Sequence, residues 1–274
     1  MTPVLQRVVA EIEQTVSGNL AFWFHDFKTG QVVGHRQDEP VATASTYKLP
    51  LLVHCALLVE EGRLSWNQPF ELQARLKSRG TGVLRDLTSG TLLTLQDVCH
   101  LMIALSDNTA ADMLVDHLGI EAVNQSMHTL GFSVTRLEEQ DQTAETGIRP
   151  PFATGITTPR EMGGLLRDLA QQRLASPEST RKMLDMLSAQ QDRSMIPRYL
   201  PPGWQYAGKT GSNPDLRADA GLVTSPAGEH FALAMFCPHP ETSDWSVDSP
   251  GILALARLAR FLLIETRGGA AWPS

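Results

Sequence analysis

The stretch that decides the fold is Ser45-Thr46-Tyr47-Lys48, followed at once by Leu49-Pro50-Leu51-Leu52-Val53-His54-Cys55-Ala56-Leu57-Leu58-Val59. A serine and a lysine three positions apart share a face when both sit on one helical turn. The residues after Lys48 are apolar without the alternation of a half-exposed strand, so 42–61 reads as a buried helix ended at Gly62. Pro50 is tolerable near its start, where backbone N–H groups lack partners anyway. A core helix holds its first turn rigidly, and a preorganised site needs that rigidity. There an amine can take a hydroxyl proton and make a serine nucleophile without histidine. The same Ser-x-x-Lys form recurs at Ser179-Thr180-Arg181-Lys182, in a polar segment with no buried helix behind it. Alone, the motif also fits a helix cap at Ser45 beside a solvated lysine, so the rest of the chain must decide.

Upstream, Val4, Leu5, Val8, Val9, Ile12 and Val16 give residues 3–16 the one-sided stripe of a surface-packed helix. Leu20 to Phe27 and Gln31 to His35 read as two strands around the turn Lys28-Thr29-Gly30. Downstream, residues 63–90 look irregular, with Lys77-Ser78-Arg79-Gly80-Thr81-Gly82 as a loop. Thr94 and Asp97 have the spacing of a capping box that opens the next helix, with Val98, Leu101, Met102 and Leu105 as its buried stripe. Helices follow over 108–118 and 120–130, each closed by a glycine. Residues 138–157 read as one long loop, of the kind that is usually functional. Thr157-Thr158-Pro159 starts another helix, and one more spans roughly 178–190. Three strand-like runs (204–210, 218–224 and 230–237) and an amphipathic helix over 252–266 close the chain.

This order predicts an α/β (α+β) fold: one antiparallel sheet built from both ends of the chain, flanked by the terminal helices, with an inserted helical lobe. The expected division is an α/β lobe of residues 1–41 and 194–274 and an all-α lobe of residues 42–193. A cleft between them is the default place for a small-molecule site.

Composition narrows the function. A chain of 274 residues, 42% hydrophobic and 19% charged, has the balance of an ordinary globular protein. Its net charge of −7 and lack of a dense basic cluster give no footprint for nucleic acid. No apolar run approaches the ~20 residues of a membrane span, and charges interrupt the N-terminal turns, so the expected location is the cytoplasm. Cys55, Cys99 and Cys237 form no Cys-x-x-Cys pair and are expected to stay reduced. The eight histidines are scattered, so neither a metal nor another cofactor is expected. A monomer acting on a small molecule is the simplest reading.

Three short motifs then occur in order: Ser45-x-x-Lys48, Ser106-Asp107-Asn108 and Lys209-Thr210-Gly211. Each has a bland alternative. Ser106-Asp107-Asn108 could end one helix and cap the next, and Lys28-Thr29-Gly30 repeats the third motif in a plain hairpin turn. Together, with helical sequence under Ser45 and strand-like sequence under Lys209, they resemble the class A β-lactamase and penicillin-binding serine hydrolase family. The resemblance covers nearly the whole chain, including Leu130 to Leu137 and Thr157-Thr158-Pro159. It implies an antiparallel sheet beside an all-α lobe, agreeing with the order above.

The resemblance also implies roles. Ser45 would attack a lactam, amide or ester carbonyl, and Lys48 would accept its proton. Ser106 would relay a proton to the leaving nitrogen, and Asn108 would orient Lys48 and the substrate amide. Lys209, Thr210 and Ser212 would hold the substrate carboxylate. Arg217 is either a second positive contact or a solvated loop residue. The backbone N–H groups of Ser45 and Ser212 would form the oxyanion hole.

One family feature is missing. Hydrolytic members carry a glutamate in a Glu-x-x-Leu-Asn loop that activates the deacylating water; here the loop is Glu138-Glu139-Gln140-Asp141-Gln142-Thr143-Ala144-Glu145. Counting from Thr135-Arg136-Leu137 puts Asp141 at the glutamate's place, and counting back from Thr157-Thr158-Pro159 puts Gln142 there. Aspartate is a shorter base and glutamine is none. Glu138, Glu139 and Glu145 are further candidates, or simply solvated carboxylates. Three readings follow: a β-lactamase-type hydrolase with weak deacylation; an esterase, D-amino-acid peptidase or amidase on the same fold; and a β-lactam-binding sensor that is acylated once.

Overall fold

The structure, a computed structural model, describes residues 1–16, 18–140, 153–238 and 245–264. The chain opens with α1 (Pro3–Val16), β1 (Ala21–Asp26), β2 (Val32–His35) and β3 (Val41–Ala42), then α2 (Lys48–Glu60). Strands β4 (Pro69–Glu71) and β5 (Leu92–Thr94) precede α3 (Leu95–Ala104), α4 (Asn108–Leu118) and α5 (Ile120–Thr129). Next come β6 (Arg136–Glu139), β7 (Ala153–Thr157), α6 (Pro159–Ala170) and α7 (Pro177–Ser188). The last elements are β8 (Gln205–Asn213), β9 (Leu216–Thr224), β10 (His230–Pro238) and α8 (Pro250–Leu263).

Both ends of the chain meet in one five-stranded antiparallel sheet of order β2-β1-β10-β9-β8, as the sequence order predicts. Its two faces are buried by different partners. Phe22, Phe24, Leu233 and Met235 pack with Leu5, Val9, Leu255 and Leu258 of the terminal helices. On the other face Trp23, Ala218, Ala220 and Ala234 pack with Leu52, Met162 and Leu166 of the central helices. Strand β1 is buried on both sides, which is why Ala21-Phe22-Trp23-Phe24 shows no polar alternation. Helix α6 lies directly on the sheet: a Cβ at Gly163 would sit 2.1 Å from Trp23 Cε3. Each fully buried large apolar side chain contributes roughly 1.5–3 kcal/mol, so this three-layer packing fixes the strand positions that the site uses.

Local signals hold well. Thr94 and Asp97 form the expected capping box, and Thr158 caps α6 with Pro159 following it. The structure differs in three places. Ser45 lies on a 3₁₀ turn, Ala44–Tyr47, that leads into α2, and not on the first α-helical turn itself. Thr43 N is tied to Gly155 O at 2.9 Å and Ala44 has φ 41°, so the chain must turn tightly into the helix. Residues 138–157 are not one loop. Arg136–Glu139 and Ala153–Thr157 pair as an antiparallel ladder, and β7 also pairs with β3. The strand-forming Thr154, Ile156 and Thr157 carry that ladder against a segment whose polar middle hid it. The segment 42–193 thus carries this ladder and the β4–β5 pair beside its helices. Helix α8 is described to Leu263, and residues 265–266 of the expected helix lie outside the described residues.

Candidate active site

The 3₁₀ turn has a chemical consequence, because side chains at i and i+3 eclipse in that geometry. Lys48 Nζ lies 3.2 Å from Ser45 Oγ. It also donates to Asn108 Oδ1 at 2.6 Å and to the Ser106 carbonyl at 2.7 Å, with Ser106 Oγ at 3.2 Å. Lys48 is fully buried. Burial, then the charge of Lys209, holds its amine well below the usual lysine range, while Asp107 and Asp112 pull the other way. A neutral lysine amine has two N–H bonds and one lone pair. The Ser106 carbonyl and Asn108 Oδ1 are acceptors only, so they take the two N–H bonds. The lone pair is left for the hydroxyl side, where Ser45 and Ser106 sit.

The second motif is held as firmly. Ser106 has φ 55°, a left-handed backbone that costs about 1–3 kcal/mol in a non-glycine residue and persists only where its surroundings impose it. That conformation ends α3 and turns the Ser106 carbonyl toward Lys48, where Thr81 Oγ1 also donates to it at 2.6 Å. Asp107 caps α4 through Ala110 N at 3.0 Å, and its other oxygen accepts from Val83 N at 2.7 Å and Leu84 N at 2.9 Å. The loop 77–84 is thereby clamped over the helix junction. Asn108 Nδ2 donates to Arg79 O at 2.9 Å, which fixes Oδ1 toward Lys48. Gly80 makes that approach possible: its φ is 104° and a Cβ there would lie 2.3 Å from Asn108 Nδ2.

Strand β8 forms the opposite wall. A Cβ at Gly211 would lie 2.8 Å from the Thr43 carbonyl and 3.0 Å from Ser45 N, so only glycine lets the strand pass this close to Ser45. Ser212 follows and pairs with Arg217 across the hairpin. Lys209 is fully buried, donates to Thr210 O at 2.7 Å, and is pushed down to about 7 by burial, with Asp192 and Asp219 opposing. Asp219 is pushed up to about 7, also by burial, although Tyr206 OH and Ile196 N donate to its two oxygens. Arg217 is not a solvated loop residue. It is buried on β9, donates to Leu216 O at 2.9 Å, and its guanidinium lies 4.9 Å from the Trp245 ring centroid.

Ser45 borders two hollows. One, of about 510 Å³, is lined by Ser106, Asn108, Thr210, Ser212 and Arg217. The other, of about 350 Å³, is lined by Tyr47, Arg79, Gln140, Asn213 and Trp245. Of the described loop carboxylates, Glu138 pairs with Arg136 at 2.8 Å on β6 and Glu139 is exposed; neither lines either of these two hollows. Asp141, Gln142 and Glu145 lie outside the described residues. Among the described residues, no group of three His, Cys, Asp or Glu side chains could hold a metal, and no helix is long and apolar enough to cross a membrane. Cys55, Cys99 and Cys237 are buried free thiols.

Sequence reasoning missed Thr81, Trp245 and the 190–194 segment, all of which line the larger hollow. The only signal was an isolated tryptophan in the polar run Glu241-Thr242-Ser243-Asp244-Trp245-Ser246. A single exposed aromatic is ordinary on a protein surface, so this signal was too weak to place Trp245 at the site.

Comparison with known proteins agrees with this geometry. The family model described as the β-lactamase enzyme family matches residues 4–264. The chain is 27% identical over 265 residues to a β-lactamase of Streptomyces lavendulae, covering 93% of this chain and 85% of that protein. A crystal structure of a β-lactamase from Sphaerobacter thermophilus matches with a TM-score of 0.85 at 30% identity, covering 97% of this chain and 98% of that one. A mutant of PBP-A, solved as an acyl-enzyme complex with penicillin G, matches with a TM-score of 0.82 at 26% identity, covering 94% and 95%. The chain belongs to the β-lactamase enzyme family and is a hydrolase of the class A type.

Proposed function

We propose that this protein is a serine hydrolase acylated on Ser45 by β-lactams, with slow deacylation. The observation that carries the reading is the 3.2 Å approach of Ser45 Oγ to a fully buried Lys48 amine whose N–H bonds are already committed. Neutral Lys48 takes the hydroxyl proton as Oγ attacks the lactam carbonyl. The backbone N–H groups of Ser45 and Ser212 hold the developing oxyanion. As the tetrahedral intermediate collapses, the C–N bond breaks and Ser106 delivers a proton to the leaving nitrogen, drawing on Lys48. Lys209, Thr210, Ser212 and Arg217 hold the substrate carboxylate, and Asn108 orients both Lys48 and the acyl amide.

Release of the acyl group needs a base for water. Asp141 is the proposed base, and its side chain is shorter than a glutamate's, which supports slow turnover. We also infer a cytoplasmic monomer, its sheet lobe (1–41 and 194–274) and helical lobe (42–193) meeting at the cleft. The buried reduced thiols Cys55 and Cys99 favour the reducing compartment. The test is a chromogenic cephalosporin time course with intact mass measured in parallel. A mass gain of one acyl group in the wild type and none in Ser45→Ala is expected; labelling of the alanine variant would sink the assignment.

A further inference from the structure

The two hollows beside Ser45 differ in chemistry. Thr210, Ser212 and Arg217 in the larger one suit the carboxylate on the leaving side of a lactam. With that half anchored there, the group on the acyl side of the scissile carbonyl extends across Ser45 into the 350 Å³ hollow. Among the described residues lining this second hollow, Arg79 is the one charged side chain, and none is acidic. Gln140 and Asn213 add amides, and Trp245 adds an apolar wall.

The other cations of the same loop are occupied. Lys77 donates to Leu87 O, and Arg85 donates to Gly80 O at 3.0 Å and lies 3.6 Å from Asp86. Arg79 has no ion-pair partner among the described residues; it is exposed and lines the hollow. Its backbone does not drift, because its carbonyl accepts from Asn108 Nδ2 at 2.9 Å. A planar guanidinium carried on a fixed point beside the nucleophile matches a carboxylate through two parallel N–H bonds. In a chain of net charge −7, no general positive field would recruit anions, so this cation acts locally.

We infer that Arg79 selects acyl donors whose acyl side chain carries a carboxylate. The inference rests on acylation at Ser45 as proposed above and adds the class of substrate. Benzylpenicillin and carbenicillin form a suitable pair of probes, since they differ by one carboxylate on the acyl side chain. Second-order acylation rates are measured for both by intact mass, in wild type, Arg79→Ala, Arg79→Lys and Arg79→Glu.

The carbenicillin-to-benzylpenicillin ratio is expected to fall about fivefold in Arg79→Ala, the upper range for an exposed ion pair. It should fall further in Arg79→Glu and be partly kept in Arg79→Lys. Raising the salt to half-molar should shrink the wild-type ratio and leave that of the alanine variant unmoved. The same ratio in wild type and Arg79→Ala, with both penicillins still labelling Ser45, overturns the role of Arg79 alone. Labelling by neither penicillin overturns the acylation reading and this inference with it.

Discussion

Asn108 Oδ1 accepts a 2.6 Å hydrogen bond from Lys48 Nζ while Asn108 Nδ2 is held by the Arg79 carbonyl at 2.9 Å. The amide therefore cannot rotate, and it presents a neutral acceptor to a buried amine. A neutral acceptor directs the N–H bond without stabilising the ammonium as a carboxylate would. The Lys48 amine is low for a lysine because of burial and the charge of Lys209. The proposed role, base for the Ser45 proton, needs it unprotonated, so acylation is expected to rise as pH rises through its pKa. Asn108→Asp adds a negative charge beside it and loses the bond to Arg79. Acylation at pH 7 is expected to drop more than tenfold, with the rising limb of the pH–rate profile displaced upward. An unmoved limb in stopped-flow acylation would argue against Lys48 as the base. Lys48→Met should slow acylation by about 10²–10⁴, the usual contribution of a positioned base.

Lys209 gives the opposite limb. Its ammonium is pushed down to about 7 and is present below that value. If it holds the substrate carboxylate, the second-order acylation rate falls as pH rises through about 7 in the free enzyme. Lys209→Arg keeps its charge at every accessible pH, so the falling limb should vanish even where the absolute rate is lower. The same group has a stability signature. Its folded pKa lies below the ordinary 10.5, so the unfolded chain binds more protons between those values, and this contribution makes stability rise with pH across that window. Urea unfolding of wild type and Lys209→Met at pH 7 and pH 9 measures it.

Two glycines separate fold from chemistry. At Gly163 an added methyl meets Trp23 in the layer between α6 and the sheet. Gly163→Ala should cost about 1–3 kcal/mol by overpacking and leave the per-molecule acylation rate of the folded fraction nearly intact. At Gly211 the methyl meets Thr43 O and Ser45 N. Gly211→Ala should push β8 away from Ser45 and lower acylation by more than tenfold. Equal loss of rate and Tm in both variants would show that the approach of β8 is merely structural.

Much of this arrangement is written locally in the sequence. Helix boundaries were legible because capping residues state them locally, as Thr94, Asp97, Thr158 and Pro159 do. The sheet was legible because apolar runs at both ends needed a common partner. The β6–β7 ladder was not, since its strands are short and their burial depends on Thr43 and Tyr47, far away in sequence. Ser45, Lys48, Ser106 and Asn108 could be brought together from motif order. Arg79, Thr81 and Trp245 could not, because nothing in a polar loop says which hollow it will border. Arg217 illustrates the same limit: only the pairing of β8 with β9 distinguishes a buried guanidinium from a solvated one.

Release of the acyl group needs a base that acts on water. Among the described carboxylates of the 138–140 region, Glu138 is engaged by Arg136 and Glu139 faces solvent, so neither stands beside Ser45. With Asp141 as the proposed base, its removal should leave acylation untouched and abolish what turnover exists. Asp141→Asn is expected to give the wild-type burst of one equivalent and then a stable mass gain. The wild type should return slowly to its unmodified mass. With Lys48 as the proposed base for Ser45 and Asp141 as the proposed base for water, the two half-reactions separate cleanly in this design. Identical recovery rates in wild type and Asp141→Asn would remove Asp141 and turn the search to Glu145. A slower burst would mean that Asp141 shapes the nucleophile's surroundings and does not act on water.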